Sequence, residues 1–167
     1  MGRRQHHQPR LTGTTTQREE KEMKNNCSCN PNPLIGEVYY MEFADSQSGF
    51  RPGVVLQNNV GNIHSPNLIV LPLTSVIKKT NLPTHVLVPA SATGLSRDSM
   101  VLCESPETMH KKYVGCYLTK IPDEYMREIA RASLLATSAI SFLAIDDLQK
   151  VWKEAVRLNN CTLPNNA

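Results

Sequence analysis

Between Ile35 and Leu118 the chain repeats one pattern: short runs rich in β-branched and aromatic residues, separated by glycine, proline and asparagine turns. The runs are Ile35–Phe43, Gly53–Gln57, Asn67–Leu73, Thr84–Pro89, Ser99–Cys103 and Tyr113–Leu118. Short strands at such close spacing predict a small barrel or sandwich, not a parallel sheet built from βαβ units. The Asn67–Leu73 run is apolar throughout and suits burial on both faces, whereas Thr84–Pro89 alternates. Asn58 to Pro66 reads as a loop because it gathers asparagines, Gly61 and Pro66.

The end of the chain has helical spacing. Pro122 suits a first helical position, and Asp123 and Glu124 suit the positive end of the helix dipole. Tyr125, Ile129, Ala132 and Ala136 carry that helix to about Phe142. A second helix is predicted from about Asp146. Its apolar stripe of Leu148, Val151, Trp152, Ala155 and Leu158 includes the chain's single tryptophan. Two fates fit this stripe: packing on the strands, or meeting a partner chain. Residues 1–34 are polar and turn-rich and read as a tail, 35–143 as the folded domain, and 144–167 as an added helix that frays from Asn159.

Charge narrows the partners. The net charge of +3 resides in residues 1–34, which hold six Lys/Arg against three Asp/Glu; the remainder has twelve of each sign. An anionic partner would have to meet a local cluster of cations. No apolar run approaches the roughly 18 residues of a membrane span, and Arg3-Arg4 is not followed by an apolar signal segment. With five cysteines and no export signal, reduced thiols in a cytoplasm are expected. The spacing of Cys27 and Cys29 does not make a zinc site, so no metal is expected. Nucleotide-binding glycine motifs, HExxH and GxSxG do not occur, and no cofactor is expected. His85, in an alternating strand, reads as a hydrogen-bonded structural histidine; His64 falls in the loop.

What remains is a set of polar residues at strand ends: Arg51, Asn58, Asn59, Thr74, Ser75, Lys78, Lys79 and Thr108. Arg51-Pro52 stands at the mouth of the apolar run VVLQ. It is either an ordinary surface charge or a cation aimed at an anion, since the guanidinium fork matches phosphate.

The segments GEVYY, FRPGVVLQNNVGNIHSP, IVLPLTSVIKKTNLPTHVLVPA and GLSRDSMVLCE, taken in order, resemble the MazF/PemK-type toxins of toxin–antitoxin systems from about Gly36 to Ser141. The resemblance implies a mainly β fold with C-terminal helices, an SH3-like small barrel shared with the gyrase-poisoning CcdB-like toxins. It also implies a homodimeric, metal-independent endoribonuclease toxin that cuts single-stranded RNA and is held silent by a cognate antitoxin peptide in the RNA groove. On the matching positions, Arg51 and Thr74 would carry catalysis; the other polar residues at strand ends, Asn58, Asn59, Ser75, Lys78, Lys79 and Thr108, are the candidates for RNA contact.

The chemistry suits those residue types. When the 2′-hydroxyl of RNA attacks the adjacent phosphorus, charge gathers on the phosphorane oxygens, and fixed donors stabilise it. Neither Arg51 nor Thr74 is a good general base near neutral pH. Catalysis by positioning and electrostatics is therefore expected, leaving a 2′,3′-cyclic phosphate and a 5′-hydroxyl, with DNA inert. Three departures from the pattern stand out. The loop before Arg51 has Gln47 and no glutamate, Asn58-Asn59 replaces Asn-Asp, and Glu107 stands where an arginine is common and would repel phosphate. The competing expectation is a non-catalytic module on the same fold that binds RNA, DNA or a protein.

Overall fold

The computed structural model describes residues 30–43, 50–77 and 81–160. Expectations for the N-terminal tail, the loop holding Gln47, Lys78-Lys79 and the C-terminal tail beyond Asn160 lie outside these residues. The described residues form seven strands: β1 Glu37–Glu42, β2 Phe50–Val55, β3 Asn67–Thr74, β4 His85–Val88, β5 Ser99–Leu102, β6 Glu107–His110 and β7 Val114–Lys120. All pairings are antiparallel, in the order β4-β5-β3-β2-β1-β7, with β6 also on β3. Strand β3 pairs with β6 through Asn67–Val70 and then with β5 through Leu73 and Thr74, so its two halves serve two parts of the sheet. Among the described residues no pairing joins β7 to β4. Among the described residues the architecture is an antiparallel sheet with C-terminal helices.

Alternation along the strands sends successive side chains to opposite faces, and each face has its own core. On one side Val38, Val54, Leu71, Leu73, Val86, Val88 and Val101 pack with Ile121, Ile129 and Ala132. The last two belong to helix α3, Asp123–Thr137, defined after the short helices α1, Asn59–His64, and α2, Ala90–Thr93. On the other side Tyr39, Met41, Phe43, Val55, Leu68, Val70 and Met109 pack together. This second face carries the candidate site.

Several boundaries differ from the sequence expectation. Strand β2 starts at Phe50, so Arg51 and Pro52 lie within the ladder, opposite Met41 and Tyr40. A proline near the start of a strand removes few donors and is tolerated there. The expected loop at Asn58–Pro66 contains α1. Asn58 caps it, its Oδ1 accepting from the Gly61 N–H at 2.9 Å, and six residues are too few to display a helical period. Strand β6 was not foreseen, because ETMH buries only Met109 and offers no run to recognise. Helix α3 ends at Thr137, before the expected Phe142, since Ser138 adopts a left-handed φ of 54° and a 3-10 turn follows at Ala139–Phe142.

The final helix, α4, spans Ile145–Asn159. Its stripe does not pack on the sheet: Trp152 is 72 % exposed, and Ile145, Val151 and Val156 are exposed too. Its tie to the body runs through Asn59, whose Nδ2 donates to the Asn159 carbonyl at 3.1 Å.

The cysteines divide. Cys116 on β7 is disulfide-bonded, which corrects the expectation of reduced thiols: an odd count leaves one thiol over but does not forbid a bridge. Cys103 is free and buried, and burial pushes its thiol up to about 11. Because the thiolate is the reactive form, native protein at pH 8 should leave Cys103 unmodified by iodoacetamide, with labelling appearing only in denaturant. Mass spectrometry of the two samples checks this.

Candidate functional site

The site grows from the β-face built on Met41, Phe43 and Val55. Residues 51, 53 and 55 of β2 share that face by alternation, and the members that belong to a core cluster agree. Arg51 therefore projects over the rim of an apolar floor. Its guanidinium carbon stands 4.4 Å from the centre of the Phe43 ring, a cation–π contact that fixes the plane of the fork. Gly53 makes this possible. A Cβ there would lie 2.7 Å from Met41 Sδ and 2.9 Å from Phe43 Cζ, so the floor closes against bare backbone.

Thr74 ends β3. The register Gly53↔Pro72, Val54↔Leu71, Val55↔Val70, continued two residues, sets Thr74 across from Arg51 and on the same face. The Thr74 hydroxyl oxygen accepts from the Val76 N–H at 3.1 Å. A hydroxyl has one proton and two lone pairs, so this bond orients the oxygen and leaves its proton for an outside acceptor. A fork of cationic donors and a neutral hydroxyl donor thus stand at neighbouring strand ends.

Glu107, at the start of β6, lies opposite Val70 and so shares the face of Arg51. Its carboxylate reaches across β3 to within 3.6 Å of Arg51 Nη2, the two side chains being 34 % and 27 % exposed. The sequence expectation was that Glu107 would repel phosphate; the structure pairs it with the cation itself.

Other expected residues fall elsewhere. Asn58 and Asn59 follow the far end of β2, roughly 20 Å along the strand from Arg51 at about 3.3 Å per residue. Asn58 caps α1. Asn59 Oδ1 accepts from the Ile35 N–H at 2.9 Å while its amide holds α4. Thr108 pairs with Ile69, which is exposed, so it occupies the outer face, away from Arg51. Ser75 is exposed beside Thr74. Lys78 and Lys79 lie outside the described residues. His85 is hydrogen-bonded as expected, its Nε2 lying 2.8 Å from Glu104 Oε1. Burial acts to raise the Glu104 carboxyl, but hydrogen bonds from its own backbone and from His85 leave it below the usual range.

A pair that the sequence reading missed sits at the same end. Met41 pairs with Arg51 on one side and Val114 on the other, so Lys112 and Tyr113 lie about two strand spacings, ~10 Å, from Arg51. Lys112 Nζ stands 4.7 Å from the Tyr113 ring centre, and Tyr113 is exposed. Lys112 and Tyr113 thus add a cation and an exposed aromatic ring at this end of the sheet. The signal was the KKY sequence, hidden because His110–Tyr113 has no periodicity.

Comparison with known proteins places this geometry. The sequence profile of the PemK-like, MazF-like toxins of type II toxin–antitoxin systems matches residues 35–135. The chain is 36 % identical over 111 residues to endoribonuclease EndoA of Bacillus subtilis (strain 168), covering 64 % of this chain and 96 % of that protein. Among solved structures, an endoribonuclease from mycobacterial species superposes with a TM-score of 0.55 at 25 % identity, over 64 % of this chain and 92 % of the other. A mycobacterial endoribonuclease in complex with its cognate antitoxin gives 0.54 at 26 % identity, over 65 % and 96 %. The profile match ends within α3, so α4 lies beyond it.

Proposed function

The chain belongs to the PemK-like, MazF-like toxins of type II toxin–antitoxin systems, and from that premise we propose that it is an endoribonuclease that cuts single-stranded RNA without a metal. The observation that carries the reading is Arg51 on the apolar face of β2, its guanidinium carbon 4.4 Å from the Phe43 ring centre, with the β2–β3 register, extended two residues past its last pair, bringing Thr74 alongside. Arg51 donates two N–H groups to the non-bridging oxygens of the scissile phosphate, and the Thr74 proton adds a third donor. These bonds strengthen as the phosphorane gathers charge. The 2′-hydroxyl attacks, the 5′-oxygen leaves, and the products carry a 2′,3′-cyclic phosphate and a 5′-hydroxyl.

Lys112 and Tyr113 support recognition of unpaired strands, where a splayed base stacks on the open ring. Ser75 and the lysines that follow it, Lys78 and Lys79, extend the same groove in this reading. The protein works as a cytoplasmic homodimer on the small-barrel fold, and an antitoxin segment silences it by occupying the groove. The complex of the mycobacterial relative with its cognate antitoxin supports an antitoxin partner.

A test follows from the nucleophile. An RNA carrying one 2′-deoxy nucleotide on the 5′ side of the cut bond should resist cleavage at that bond while neighbouring cuts persist. Cleavage of the deoxy-substituted bond would contradict attack by the 2′-oxygen. A second reading, a binding module without chemistry, is favoured by the Arg51–Glu107 ion pair, which sets an anion of the protein itself against the fork. It predicts RNA or protein binding with no cleaved product at any enzyme concentration.

A further inference from the structure

The proposed reaction lacks one component: something must take the proton from the attacking 2′-oxygen. A guanidinium offers donors and no acceptor, and a threonine hydroxyl is no base near neutrality. The carboxylate of Glu107 stands 3.6 Å from Arg51 Nη2, on the face that Thr74 shares. A phosphate held by Arg51 carries its 2′-oxygen on the adjoining ribose, within reach of a group that already touches the same fork. With about a third of the side chain exposed, Glu107 is accessible to RNA yet partly removed from water.

Resting on the nuclease reading, we propose that Glu107 is the proton acceptor for the attacking 2′-hydroxyl. In the resting protein the carboxylate is paired with Arg51. As the substrate docks, phosphate oxygens share the guanidinium, and the cation's hold on the carboxylate weakens. A carboxylate released from a cation is a stronger base, so Glu107 gains basicity as the nucleophile arrives. The 2′-O–H proton passes to a Glu107 oxygen while the 2′-oxygen forms its bond to phosphorus. The P–O5′ bond breaks with its electron pair on O5′, which takes a proton from water, and Glu107 returns its proton to solvent.

Among the described residues, the carboxylate faces Arg51 from β2, and from β3 that face presents Val70 and Thr74. Glu104, nearby in sequence, is engaged by His85 at 2.8 Å. The strand frame of β6 on β3 holds the backbone of Glu107 through four paired residues, which suits a group that must sit still.

The experiment compares the full-length protein with Glu107→Gln, which keeps the shape and loses the basicity. Single-turnover cleavage of a short single-stranded RNA is followed across pH, and binding of a 2′-O-methyl version of that RNA, which cannot be cut, is measured beside it. The proposal expects cleavage by Glu107→Gln to fall by about 10²-fold or more, with the acid limb of the pH–rate profile gone. It expects the methylated RNA to bind as tightly as before or tighter, since a negative charge has left the groove. A merely structural role would lower the rate evenly and keep the acid limb, which would overturn the proposal. Cleavage by Glu107→Gln as fast as wild type or faster would overturn it as well and leave Glu107 as a brake on the fork. If the unaltered protein cuts no RNA, the nuclease reading fails and this inference with it.

Discussion

Arg51→Ala should lose RNA cleavage by about 10³-fold or more, the upper end of what removal of a single transition-state donor costs, because the guanidinium supplies two. Stability should change little. The side chain lies at the rim, 27 % exposed, and its ion pair with Glu107 is of the partly solvated kind that contributes little to folding. Arg51→Lys restores the charge but not the planar fork or its stacking on Phe43, so it should recover only part of the rate. Single-turnover kinetics beside thermal melting separate the two effects. Equal loss of activity and of melting temperature would show that Arg51 holds the fold and not the phosphate.

Gly53→Ala should damage both properties. The added Cβ would meet Met41 Sδ at 2.7 Å and Phe43 Cζ at 2.9 Å. Both side chains are fully or almost fully buried, so neither can swing away cheaply. Overpacking of this kind costs about 1–3 kcal/mol, visible as a lower denaturation midpoint. The activity loss has a separate origin. Phe43 is the surface on which the Arg51 guanidinium rests, and a shift of about 1 Å in a catalytic group can cost around 10²-fold. Cleavage should therefore fall at temperatures where the variant is still folded. An unchanged rate in folded Gly53→Ala would mean that the Phe43 contact does not set the aim of Arg51.

The sequence announced its strands where burial made them plain. Leu68, Val70, Leu71 and Leu73 form the run that marked β3, and all are buried. Tyr125, Ile129 and Ala132 marked α3 in the same way, with Ile129 and Ala132 in the core. Elements held by polar contacts were invisible. Helix α1 depends on the Asn58 cap, and β6 on a ladder whose partner lies nearly forty residues earlier in the chain. Trp152 was legible as part of a helical stripe, but periodicity says only that a face is apolar, not what covers it.

The site shows the same division. Arg51 and Thr74 could be singled out from residue type and resemblance, yet only the register of β2 on β3 sets the ends of the two strands that bear them side by side. Glu107 read as an intrusion because sequence separation hid its contact with Arg51. Asn58 and Asn59 read as groove residues because they close a strand, but their side chains are committed to α1, to Ile35 and to α4. A polar residue at a strand end faces one of two ends of the sheet, and only the fold says which.

The central claim is that the face bearing Arg51 and Thr74 breaks RNA by attack of its own 2′-oxygen, without a metal. The measurement that tests it most directly is the mapping of ends formed when purified protein meets a long single-stranded RNA in excess EDTA, beside the Arg51→Ala protein. Discrete cuts bearing 2′,3′-cyclic phosphate and 5′-hydroxyl ends, absent with the variant, are the predicted result. RNA left intact at high protein concentration, or cuts that Arg51→Ala makes equally well, would contradict the claim.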